Sequence, residues 1–167
     1  VWESEIKANK FEIENLMRTL NITSNVADKY KGWTSDKILD DLKKNRYKYS
    51  ICIENWQYNY NLGTCIRAAN AFAAKEVFYI VNKKIDARSS VGTKHLVEFK
   101  HLSKLDELIA LKKDYVLVAL DNVDGSKPIN DFNWPENSLI IFGNEANGIS
   151  DNVLKISDHI VHIPQAG

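Results

Sequence analysis

The chain has 167 residues, enough for one domain with a real core and too few for two large ones. Apolar residues make up 44% and charged residues 26%, ordinary for a globular chain, and the longest apolar runs, YVLVAL and SLIIF, are far too short to cross a bilayer. Net charge is zero, but residues 1–100 carry 17 basic against 12 acidic side chains (+5) and residues 101–167 carry 5 against 10 (−5), so a basic half able to meet phosphates and a chance asymmetry both fit.

The opening VWESEIKANK is of mixed charge, with two Glu and two Lys, and lacks an initiator Met. It does not read as a signal peptide, and a cytoplasmic protein is expected. Cys52 and Cys65 lie in apolar settings and read as buried free thiols. Residues 3–20 place Ile6, Ile13, Leu16, Met17 and Leu20 near helical spacing, and a second short helix is expected at 36–44 with Ser35 as its N-cap. Residues 1–45 therefore read as a short helical N-terminal extension, and 46–167 as the main domain.

From residue 47 the pattern alternates. YSICIE reads as a strand and 61–73 as a helix; EVFYIV is a strand and 103–112 a helix. YVLVAL and SLIIFG are strands, 149–156 a helix, and HIVHIP a last strand. The strands are uniformly apolar, as expected when both faces are covered. The expected fold class is α/β, a mostly parallel sheet flanked by helices. Ligands in such sheets sit at the carboxyl ends of the strands. Three polar, glycine-bearing segments fall there: NYNLGTCIR after the first expected strand, GNEANG after the fourth and IPQAG after the fifth.

In the first segment Asn61 opens a helix and Gly63 lets the backbone approach whatever lies above it. Arg67 follows six residues after Asn61, among the small side chains Ala68, Ala69, Ala71, Ala73 and Ala74. An arginine in so small-sided a helix either pairs with a carboxylate or grips a phosphate. In the second segment Glu145 stands between Gly143 and Gly148. It either caps the helix beginning near Ile149 or offers its charge to a site. A triphosphate loop would need a lysine where Ile149 stands, so that reading is set aside, as is a Rossmann-type loop, because NYNLGTC has a single glycine.

Together the three segments resemble the SpoU-type, TrmH-like RNA ribose methyltransferases of the SPOUT superfamily. Asn61, Gly63 and Arg67 match N-x-G-x-x-x-R. Phe142, Gly143, Glu145, Gly148 and Ile149 match F-G-x-E-x-x-G-[LI]. Ile163, Pro164 and Gly167 match the start of I-P-x-x-G. The resemblance runs from about Tyr49 to the end, and the family usually has glycine where Ala73 stands, read here as a small packing change.

The resemblance implies methyl transfer from S-adenosylmethionine to a ribose 2′-hydroxyl of tRNA or rRNA, by a homodimer whose C-terminal segment forms a trefoil knot. The third motif normally continues through S-L-N-V-S-V-A, and a tail beyond Gly167 is expected; without it the chain does not complete the knot or the donor pocket. The alternative is an RNA-binding protein of the same fold without transfer. Gly143, Ile163 and Leu120 are the implied cofactor contacts, and Asn61, Arg67 and Glu145 the implied catalytic set. An arginine is a poor base, so Arg67 is read as gripping the target phosphate and stabilising the developing alkoxide, with Asn61 and Glu145 orienting the group. Lys83, Lys84, Arg88 and Lys94, with Arg67, are the expected RNA contacts, and Lys43, Lys44, Arg46 and Lys48 form a second basic cluster. Tyr47, Tyr49, Trp56, Tyr58 and Tyr60 either pack or stack on bases. No metal and no membrane are implied: His159 and His162 face opposite sides of a strand, and His95 and His101 have no partner motif. HIVHIP is the candidate dimer interface.

Overall fold

The computed structural model describes residues 12, 15, 16, 27–54, 58–80, 88–90 and 92–166. The helix expected over 3–20 lies outside that range except at Glu12, Asn15 and Leu16, whose backbones are helical. The chain divides into two compact units, 1–45 and 46–167. In the first, helix α1 (Ser35–Lys43) is capped by Thr34, whose hydroxyl accepts from the Lys37 amide at 3.4 Å. The cap is thus one residue earlier than expected, because Thr34 holds the extended backbone a cap needs while Ser35 is already helical.

The second unit is one seven-stranded sheet. Its strands are β1 (Ser50–Glu54), β2 (Glu76–Ile80), β3 (Glu98–Leu102), β4 (Val116–Leu120), β5 (Lys127–Pro128), β6 (Ser138–Phe142) and β7 (His159–His162). Their order is β3-β2-β1-β6-β4-β7-β5, and every neighbouring pair is parallel. The expected α/β class with a parallel sheet holds. Strands β3 and β5 were not anticipated. EFKHL mixes charged and apolar residues because β3 is an edge strand, with Lys100 and His101 exposed on opposite faces, and β5 is only two residues long.

Three helices follow strands: α2 (Asn59–Ala71), α3 (Leu105–Ala110) and α4 (Asp151–Ile156). Side chains of period two feed two cores. Ile51, Ile53 and Val77 pack with Leu62, Ile66 and Ala69 of α2 on one face. Cys52, Phe78, Leu117, Ala119, Leu139 and Ile141 pack with Leu108 of α3 and Val153 of α4 on the other. Burial pushes the Cys52 thiol far above its ordinary range and the Cys65 thiol up to about 12. Both are free, but Cys65 is half-buried rather than buried as expected, since it lies at the edge of the α2 face.

At the C-terminal end of α2 the chain turns back sharply. The Ala74 amide donates to the Ala69 carbonyl at 2.9 Å, and Ala73 between them sits at φ +54°. This is the left-handed close of a helix, a position that favours glycine. The alanine there is therefore a backbone matter and not the packing change that the sequence suggested.

Candidate active site

Strand order reverses beside β1: the chain runs outward through β2 and β3, then returns to the other side with β6 and β4. The crevice at such a reversal, past the carboxyl ends, is where parallel sheets bind ligands. In register, Ile53 pairs with Phe142, Phe142 with Leu120, and Leu120 with Val161. The four strand ends are level, and the segments leaving them form one rim.

From β6 the chain makes a tight turn. Asn144 and Gly148 exchange both backbone hydrogen bonds, at 2.8 and 2.9 Å, and the Asn144 side-chain oxygen accepts from the amides of Ala146 at 2.9 Å and Asn147 at 3.2 Å. A Cβ on Gly143 would lie 2.2–2.4 Å from backbone atoms of Gly148 and Ile149, so the turn closes only around a glycine. Gly148 itself has φ +69°.

Two carboxylates hold the exit of this turn. Asp121, one residue past β4, accepts from the Ile149 amide at 2.7 Å and the Asn122 amide at 2.8 Å. Glu54, the last residue of β1, is buried and accepts from the Ser150 amide at 2.9 Å and the Ser150 hydroxyl at 2.5 Å. Stripping a buried charge of its partners costs about 3–5 kcal/mol, so the two bonds from Ser150 are what permit a carboxylate there. Ser150 also caps α4, its hydroxyl accepting from the Val153 amide at 3.4 Å. The cap is therefore Ser150 and not Glu145.

Glu145 instead accepts a hydrogen bond from the Asn61 side-chain amide at 2.8 Å, joining the first and second motif segments across the rim. Asn61 is half-buried in the first turn of α2, which begins at Asn59 rather than at Asn61. Gly63 lies against the backbone turn Arg88–Ser90: a Cβ there would meet the Ser89 carbonyl carbon at 2.5 Å. Arg67, one helical turn beyond Gly63, is exposed, and among the described residues nothing pairs with its guanidinium. The ion pair that would have made it structural is not present among them. Packing of the Ser89 turn on Gly63 brings the Arg88 backbone to the Arg67 side of α2. Lys94 is exposed in the next short turn, while Lys83 and Lys84 lie outside the described residues, as do Trp56 and Gly167.

Leu120 is half-buried at the end of β4, and Ile163, just past β7, exposes 55% of its surface. Three of the four histidines have partners: His159 packs its ring on Phe132, His162 Nδ1 lies 2.8 Å from the Ser126 hydroxyl, and His101 stacks on Tyr79. Strand β7 pairs on both sides, with β4 and β5, so only its faces remain for any interface.

A different use of charge marks the amino edge. The Arg46 guanidinium donates to the Ala74 carbonyl at 2.9 Å, the Asn70 side-chain oxygen at 2.8 Å and the Leu96 carbonyl at 2.5 Å. Lys48 pairs with Glu136 at 2.8 Å. Arg46 is thus spent inside the fold, on partners from distant segments, while Lys48 makes its ion pair on the surface. A cavity of about 600 Å³ opens beside them, lined by Tyr47, Tyr49, Trp134, Pro135 and Ile140, and none of the motif residues reaches it.

Residues 48–167 match the SpoU rRNA Methylase family. The chain belongs to that family. An uncharacterized tRNA/rRNA methyltransferase of Synechocystis sp. is 27% identical over 126 residues, 71% of this chain, and the chain spans about half of that relative, 46% of its length. Among solved structures, the A. aeolicus TrmH/SpoU tRNA modifying enzyme superposes with a TM-score of 0.69 at 20% identity, over 80% of this chain and 73% of its own. The SpoU methyltransferase AviRb from Streptomyces viridochromogenes, in complex with the cofactor AdoMet, superposes with a TM-score of 0.65 at 24% identity, over 73% and 51%. Both share the sheet described above. Glu54 and Asp121 escaped the sequence reading, since a carboxylate that bonds to main chain leaves no spacing to find.

Proposed function

We propose that this SpoU-family protein transfers a methyl group from S-adenosylmethionine to a ribose 2′-hydroxyl of tRNA or rRNA. The observation that carries this reading is the hydrogen bond from Asn61 to Glu145; the same helix α2 also carries Arg67, exposed and with no partner among the described residues. Two motif segments 84 residues apart meet at one rim.

The rim suits the methyl donor on chemical grounds. Ile163 exposes 55% of an apolar side chain beside a half-buried Leu120, and the face of a purine would cover such a surface. Gly143 and the turn it permits offer main-chain groups next to it. When bound, S-adenosylmethionine supplies a methyl group on a sulfonium sulfur. Arg67 grips the phosphate of the target nucleotide and stabilises charge growing on the ribose oxygen. Asn61 and Glu145 hold the geometry around it. Lys94 and Arg88, with Lys83 and Lys84, extend the cationic track for the RNA backbone. Residues 46–167 form the methyltransferase domain and 1–45 an RNA-recognition appendage. The protein works as a homodimer in the cytoplasm, with the partner subunit completing the site.

The test is transfer of labelled methyl from S-adenosylmethionine to bulk tRNA and, separately, rRNA, by the protein encoded by the full gene. The expected result is alkali-resistant label on one RNA class and a loss of about 10²–10³-fold in Arg67→Ala. Label that persists in Arg67→Ala would remove the role given to that residue. Absence of label from both RNAs would favour an RNA-binding protein of the same fold.

A further inference from the structure

Strand β6 lies between β1 and β4; β1 ends in Glu54, and Asp121 directly follows β4. Glu54 and Asp121 reach from opposite sides to two consecutive amides, Ser150 and Ile149, where the Gly143–Gly148 turn leaves the rim. Asp121 is itself tied down: its amide donates to the Val161 carbonyl at 2.9 Å, and its second oxygen takes the Asn122 amide at 2.8 Å. It also restricts the turn sterically, since a Cβ on Gly148 would lie 2.5 Å from its Oδ2. Glu54 is fixed by burial, at 5% exposure, and by the paired bonds from Ser150. The turn is therefore anchored at its entry by β6 and at its exit by two strand ends. Glu145 stands at its tip, where it meets Asn61.

We propose that Glu54 and Asp121 are positioning residues for methyl transfer: together they clamp the exit of the Gly143–Gly148 turn and so set Glu145 against Asn61. This rests on the methyltransferase reading above. A carboxylate suits the task because it accepts from two donors at once, whereas an amide of the same size accepts on one side and donates on the other. Asp121→Asn thus leaves either Ile149 or Asn122 facing an N–H. Glu54→Gln keeps an acceptor for the Ser150 amide only if the Ser150 hydroxyl turns from donor to acceptor, which weakens the clamp by replacing its charged bonds with neutral ones.

The experiment compares the full-length protein with Asp121→Asn, Glu54→Gln and the milder Ser150→Ala, which keeps the Ser150 amide. Three quantities are read: exchange of the Ile149, Ser150 and Asn61 side-chain amides by NMR, the Kd for S-adenosylhomocysteine by calorimetry, and kcat and KM on RNA. Amide exchange and the Kd are expected to rise about 10-fold and kcat to fall about as much, with KM for RNA unchanged. Ser150→Ala should move the same quantities in the same direction, less far, and so stands in if either carboxylate variant fails to fold. The proposal is overturned if the Asn61 amide, the Kd and kcat all stay at wild-type values, including the case in which only the Ile149 and Ser150 amides loosen. If the wild-type protein neither binds the homocysteine nor transfers methyl, yet the Asn61 amide still responds to Asp121→Asn, the clamp stands and the methyltransferase reading falls.

Discussion

Two arginines stand on or against helix α2, and the fold treats them in opposite ways. At the amino edge Arg46 has its guanidinium shared among two carbonyls and a side-chain amide, drawn from the end of α2 and from Leu96. Arg67, one turn before Asn70 on α2, rises from a helix of small residues, exposed and unpartnered among the described residues. The first arginine closes the end of α2 onto the strands; the second meets no carboxylate or carbonyl among the described residues. Burial and partner count, and not sequence company, separate a cation that holds a protein together from one that is free for a ligand.

The sharpest way to break this contrast is to damage the carboxyl edge without touching Arg67. Gly143→Ala puts a carbon where Gly148 and Ile149 already stand, at 2.2–2.4 Å. The turn then cannot close, and methyl transfer should drop about 10²-fold or more, read in the same labelling assay. Full activity in that variant would mean that the turn plays no part.

Arg46→Lys probes the other end. A lysine keeps the charge but cannot serve three acceptors in a planar fork. Stability should fall by about 2 kcal/mol, seen as a lower midpoint in urea, while transfer per folded molecule is unchanged. A loss of RNA affinity at unchanged stability would instead return Arg46 to the RNA-binding cluster where its lysine neighbours placed it. The smallest effect, and the only gain, belongs to Ala73→Gly. Relieving φ +54° in an L-residue is worth about 1 kcal/mol, a rise in Tm of roughly 2–4 °C by calorimetry. An unchanged or lower Tm would show that the turn closing α2 is not strained by its alanine.

Much of the architecture was legible because the chemistry is local. β1, β2, β4, β6 and β7 are continuous apolar runs, and α2 declares itself between two of them. The likeness to the family was legible for the same reason: each motif is short, contiguous and placed directly after a strand. Edge strand β3 was missed because Lys100 and His101 interrupt its apolar run, and a strand with a single inner neighbour has no need to be apolar on both sides. Arg46 misled because its acceptors, Asn70, Ala74 and Leu96, lie 24 to 50 residues away. Glu54 and Asp121 were invisible for a related reason. Their partners are amides 96 and 28 residues distant, and a backbone N–H looks the same at every position.

The insertion of β6 between β1 and β4 has a consequence for how the chain is made. β1 is complete at Glu54, but its neighbour on one side begins only at Ser138. At the usual pace of synthesis, about 5–20 residues per second, the ribosome needs on the order of ten seconds to deliver it. Throughout that interval Ile51, Cys52 and Ile53 offer a bare hydrogen-bonding edge in the centre of the eventual sheet. No local hairpin shields them, because every strand pair here is parallel and waits for a crossover. The nascent protein therefore spends its most vulnerable seconds with its future middle exposed, a burden on the cell's chaperones.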